Sequence, residues 1–150
     1  MSELQAALDR SIRNATAFTR SLFEADQWDA ERVSSFVNTS RNVTVSSVTV
    51  AGEPHAAVVI GAVVDDVIHF TVAPRSLLAR NLAHSPHIAF TICDRTHAVM
   101  GKGVAVLAAR SLENPDLIAS LAVVSVHGTF TPPGWDGLVY RVELDRIFAS

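Results

Sequence analysis

The sequence predicts a mainly β protein: about six strands, most joined as antiparallel hairpins, closed into a barrel with helices packed outside. Three observations carry this. From Asn42 onward, runs rich in Val, Ile and Thr recur, as in "NVTVSSVTV", "HAAVVIGAVV" and "VIHFTV". The turns between these runs, "AGEP" and the pair Asp65–Asp66, are short and favour hairpins over helical crossovers. Before Asn42 the apolar residues Leu4, Leu8, Ile12, Ala15, Phe18 and Leu22 recur at helical spacing instead.

Taken in order, Ser2 is placed to cap a helix running to about Ala25. Asp29 is placed to cap a second, short helix through Val37, with Trp28 ahead of it as an apolar anchor. Three strands follow, the second and third joined through Asp65 and Asp66, whose adjacency is turn chemistry rather than acid/base chemistry. Ser76 caps a helix from Leu77 to about His84. "HIAFTICD" reads as a buried strand, with Cys93 a small core hydrophobe and unreactive. In "THAVMGKGVAVLAA", Gly101 and Gly103 mark a bulge or a close backbone approach. "NPDLIASLA" reads as a helix with Asn114 as cap and Pro115 at its first position. "VVSVHGTF" and "GLVYRVELDRIF" close the chain, separated by the turn-rich "TPPGWD".

The chain has 150 residues, which fits one domain with a helical N-terminal extension over about 1–37. It is 49% hydrophobic and 18% charged, too apolar for disorder. No apolar run reaches the roughly 20 residues that span a bilayer, and the start lacks a signal peptide's apolar centre. A soluble, cytoplasmic protein is the expectation. A net charge of -3 argues against general nucleic-acid binding. The single cysteine excludes an intrachain disulfide and a multi-cysteine zinc site. None of the six histidines has metal-ligand spacing, so no metal is expected. Nucleophile elbow, phosphate-cradling glycine loop and dinucleotide fingerprint are all missing from the sequence.

The stretch "APRSLLARNLAHSP" poses the functional question. A strand running into a capped helix, with Arg75 and Arg80 beside the bend, is a way to hold a phosphate. Yet Leu77 and Leu78 occupy its centre.

The run "GEPHAAVVIGAVVDDVIHFTVAPRSLLARNLAHSPHIAFTI" followed by "AVMGKGVAVLA" resembles the pyridoxamine 5'-phosphate oxidase-like family of flavin and deazaflavin split-barrel proteins. "PHAAVV", the hairpin ending "FTV", Ser76, Arg80, Asn81, Leu82, Pro86, Gly103 and Ala105 carry the likeness, and "LVYRVELDRIFA" resembles the closing strand. The resemblance implies a six-stranded antiparallel split β-barrel, FMN-binding in type. It implies a homodimer with two sites at the subunit interface. In such proteins basic residues commonly hold the FMN phosphate at the places of Ala57, Leu77 and Leu78, and a glutamine reaches the ring near Ala98. Here those positions are apolar.

The expected function is therefore an FMN-dependent, less favourably a deazaflavin-dependent, oxidoreductase acting on a small molecule. Cofactor contacts are expected from Val58 and Val59 through the backbone, and from Thr71, Arg75, Ser76, Arg80, Lys102 and Trp135. Arg41 is a further cation within reach of a phosphate, and no side chain stands out as an acid or base. The rival reading is a cofactor-free dimeric barrel that has lost the phosphate clamp and binds a small apolar ligand or a partner. Heme binding, resting on the histidines alone, is a third.

Overall fold

The computed structural model describes residues 2–110, 116 and 137–150. Three helices come first: α1 (Glu3–Arg13), α2 (Ala17–Phe23) and α3 (Ala30–Ser40). Then come β1 (Asn42–Val48), β2 (Pro54–Val64), β3 (Val67–Val72), α4 (Leu77–His84), β4 (His87–Cys93), β5 (Ala98–Arg110) and β6 (Leu138–Ala149). The strands form a closed barrel in the order β1-β2-β3-β6-β5-β4, with every pairing antiparallel. The helix expected over "NPDLIASLA", of which only Asp116 is described, the strand expected at "VVSVHGTF", and Trp135 lie outside the described residues.

Alternation decides what faces inward. Val43 and Val45 of β1 and Ile88, Phe90 and Ile92 of β4 are buried, while their sequence neighbours face out. Phe70 of β3 stacks on Tyr140 of β6, ring centroids 5.7 Å apart. The parity also corrects the expectation for Cys93. The strand forms as read, but Cys93 falls on its outward set and is exposed. Gly101 and Gly103 behave as expected. The register shifts between Lys102 and Gly103, and a Cβ on Gly103 would collide with the Glu143 carbonyl oxygen.

Ser2 caps α1 by accepting from the Gln5 N–H. Asp66, in the β2–β3 turn, accepts from the Leu4 N–H at 2.8 Å and ties the helix to the barrel. Asp65 and Asp66 both adopt positive φ, 50° and 67°, the geometry of a two-residue hairpin turn. The single helix expected as far as Ala25 is instead broken at Asn14–Thr16. Thr16 accepts from the Thr19 N–H and starts α2 afresh, the local competition that hydroxyl side chains offer a helix interior. Phe18 and Leu22 continue the apolar spacing but are exposed. Asp29 caps α3 as expected, and the helix runs three residues past Val37 to Ser40. Trp28 is buried against the edge of Phe36, with Arg32 over its ring at 4.3 Å.

His69 is buried on β3, its Nδ1 2.9 Å from the Val67 carbonyl oxygen. Burial, above all, holds it below the ordinary imidazole value of 6.5; Arg141 adds to this, and the Val67 carbonyl and Asp65 oppose it. The unfolded chain therefore takes up a proton more readily than the folded one. Stability from the neutral ring is complete above the ordinary value and is lost as pH falls from there toward the lowered folded value. Melting temperature is expected to drop between pH 7.5 and 5, and His69→Gln is expected to flatten that drop. The lowered Asp94 carboxylate acts in a separate window, below its ordinary 3.8.

Candidate functional site

Strand β2 changes partners halfway along. Residues Pro54 to Ile60 pair with β1, whereas only Gly61 to Val64 pair with β3. The last two residues of β3, Thr71 and Val72, pair with β6 alone. The sheet therefore parts between Ile60 and Thr71. The Gly61 N–H donates to the Arg41 carbonyl, which fixes which residues turn their main chain toward β1. By two-residue alternation, Ile60 and Val58 turn theirs into the parting. The Ile60 carbonyl accepts there from the Thr71 hydroxyl at 3.4 Å. Val58 thus turns its N–H and C=O into the parting; Val59 directs its own toward β1 and its half-buried side chain against the core.

A cavity of about 330 Å³ occupies this parting, lined by residues 57–60, Thr71, Val72, Ala73, Ser76 and Leu78. Among the described residues, no charged side chain lines it. The Ser76 hydroxyl is already committed: it accepts from the Ala79 N–H at 3.1 Å and donates to the Ala73 carbonyl at 2.7 Å. Leu78 is 1% exposed and belongs to the central core cluster. The cavity thus has apolar walls, with the main chain of Val58 and Ile60 and the Thr71 hydroxyl as its polar groups. It does not itself supply cations for a phosphate.

The expected arginines stand on the other side of Ser76. Arg75 and Arg80 line a second groove of about 370 Å³ together with Ser76, Arg110, Leu107, Leu138 and Tyr140. Arg110 was not singled out from the sequence. It stands 30 residues after Arg80, and only the pairing of Arg110 with Leu138, and of Leu107 with Tyr140, carries it there. Tyr140 is buried, which raises its hydroxyl above the ordinary value, with Arg110 opposing.

Lys102 joins neither cavity. It lies 3.5 Å from Asp145 in an open cleft at the β5 bulge. Arg41 is buried where α3 meets β1, in a left-handed backbone conformation. The described histidines fall on β2, β3, α4, β4 and the β4–β5 turn, and none lines the two cavities flanking Ser76. Among the described residues, no group of three His, Cys, Asp or Glu side chains is arranged for a metal.

A closed six-stranded barrel parted along one strand is the split-barrel fold, and solved structures share it. A heme-binding protein from Mycobacterium smegmatis is 20% identical with a TM-score of 0.59, covering 82% of this chain and 54% of its own, so the chain spans about half that protein's length. An F420 reductase is 14% identical with a TM-score of 0.60, covering 75% of this chain and 93% of its own. A protein described as a pyridoxamine 5'-phosphate oxidase from Listeria innocua is 12% identical with a TM-score of 0.60, covering 80% and 96%. No protein-family model and no curated protein sequence matches the chain.

Proposed function

We propose that the chain is a flavin-type oxidoreductase of the split-barrel class, acting in the cytoplasm on a small molecule, with FMN or a deazaflavin as its cofactor. The observation that carries this is the parted sheet: a cavity of about 330 Å³ with apolar walls, beside which Val58 has main-chain groups unpaired with β3 and Thr71 a hydroxyl. The F420 reductase and the Listeria innocua protein described as an oxidase, both of this fold, support the same choice of cofactor. When bound, the cofactor would supply the hydride chemistry. The chain's own residues would align the ring edge through Val58 and Thr71 and exclude water from its face through Ala57, Val59 and Leu78. No described residue lining the cavity is titratable.

The test is equilibrium titration of the purified protein with riboflavin, FMN, F420 and hemin, followed by absorbance and fluorescence. Saturable uptake of a flavin or deazaflavin, with its absorption bands retained through gel filtration, is expected. Protein that takes up none of the four leaves the cofactor-free reading standing. Uptake of hemin alone overturns the flavin assignment.

A second copy is proposed to cover the outer face of β2, β1, β4 and β5. One ladder across these strands runs Val58, Thr44, Thr91, Met100, and the next runs Ala56, Ser46, Ala89, Lys102. Val58 is 68% and Met100 37% exposed, and Lys102 is the only charge in the two ladders. Two adjacent ladders with a single charge between them are unusual for a solvent face and usual for an interface. Sedimentation equilibrium at micromolar concentration is expected to show a dimer that Thr91→Arg dissociates. The exposed Cys93 beside Thr91 is expected to label faster in the variant. A monomeric wild type would refute the dimer.

A further inference from the structure

We propose that the groove between α4 and the paired ends of β5 and β6 is an anion site of its own, separate from the cavity in the parted sheet. It would take the phosphate or carboxylate of a ligand whose apolar body lies on Leu107, Leu138 and Tyr140.

Three of the chain's 12 basic residues, Arg75, Arg80 and Arg110, gather around this one groove, although the chain as a whole carries a net charge of -3. No acidic residue lines the groove among the described residues. None of the three guanidinium groups makes an ion pair with a described residue, unlike Lys102 with Asp145 and Arg141 with Glu143. Three like charges around a space of about 370 Å³ repel one another. A guanidinium group does not relieve that repulsion by losing its proton. An anion from outside relieves it, and the forked donors of arginine match the oxygens of phosphate and carboxylate.

Two further features add to the attraction. The groove includes the start of α4, where Ser76 is the N-cap and the positive end of the helix dipole favours negative charge. Leu107 is 50% exposed on the wall of the groove, beside Tyr140 across the strand pairing. An apolar surface next to a cationic one selects an organic anion over a bare inorganic one. This site lies across Ser76 from the apolar positions Ala57 and Leu78, and it shares no other lining residue with the first cavity.

The test uses calorimetric titration of the full chain with inorganic phosphate, phenyl phosphate, benzoate and, as neutral control, benzyl alcohol. Phenyl phosphate is expected to saturate one site per chain and to bind more tightly than inorganic phosphate. Comparing benzoate with phenyl phosphate tells which acid the site prefers. Arg80→Gln combined with Arg110→Gln is expected to weaken phenyl phosphate by about a hundredfold, roughly tenfold for each lost charged contact. Added salt should erode the wild-type affinity. Arg13→Gln, at the exposed end of α1, should leave that affinity unchanged. Riboflavin, which has no phosphate, should bind the double variant as it binds wild type, so this result stands apart from the flavin assignment. Absence of saturable binding by all three anions overturns the proposal. Binding that the double variant retains also overturns it, and means an adventitious surface contact only.

Discussion

Replacing Leu78 with lysine is expected to lower stability by about 3–5 kcal/mol and to leave FMN affinity no better than in wild type. The sequence poses the question because Leu77 and Leu78 stand where the flavoproteins that the sequence resembles commonly carry basic residues. The structure gives the two leucines different jobs. Leu77 is 42% exposed at the start of α4, while Leu78 is 1% exposed and packs into the core cluster. Leu78 touches the cavity in the parted sheet only as its apolar floor. A lysine there loses the packing of a buried leucine and buries an ammonium group with no acid among the described residues lining the cavity. A loss of that size is a large share of the roughly 5–15 kcal/mol that holds a small domain folded. Thermal or urea unfolding of Leu78→Lys beside Leu78→Met, with titration of both flavins, measures it. The methionine variant should stay close to wild type. A rise of tenfold or more in FMN affinity, with riboflavin unchanged, would show that position 78 faces a phosphate after all.

Gly103→Ala is expected to cost about 3 kcal/mol, out of proportion to one methyl group. The added Cβ would sit well inside van der Waals contact distance of the Glu143 carbonyl oxygen and close to the Leu144 Cα. Those are main-chain atoms of the paired strand, so no rotamer change relieves the collision. β6 must move away where the register already shifts. Gly52→Ala makes the comparison. Gly52 has a positive φ of 83° with nothing near its missing Cβ, so it suffers only the conformational strain, about 1–2 kcal/mol. Chemical denaturation of both variants should rank Gly103→Ala as the worse. Equal losses would mean that the β5–β6 approach yields easily.

Strand identity was legible because each strand carries its own signal in alternation and β-branched residues. So were the caps at Ser2, Asp29 and Ser76, since a cap is a local bond between near neighbours. Three matters were not legible. The break at Thr16 hides inside an apolar spacing that runs on through Phe18 and Leu22, because periodicity does not say whether a partner surface exists. Cys93 shares a strand with three buried residues, and only the parity of its position sends it outward. Arg75 and Ser76 are adjacent in sequence, yet Arg75 lines one cavity while Ser76 borders two. Which side of a helix start faces which strand end is set by the closed barrel, and Arg110 enters the picture only through that closure.

The place of β6 also sets how the molecule must fold. Arg141 pairs with His69 on one side and Val106 on the other, so the strand that joins the two halves of the barrel comes after both of them in the chain. Loops must close over long stretches before these contacts repay the lost entropy, which makes for slow folding. Until β6 docks, β3 and β5 each expose an edge that any neighbouring chain can extend. Refolding at high concentration would therefore favour intermolecular strand pairing, and dilution or low temperature would favour the native barrel.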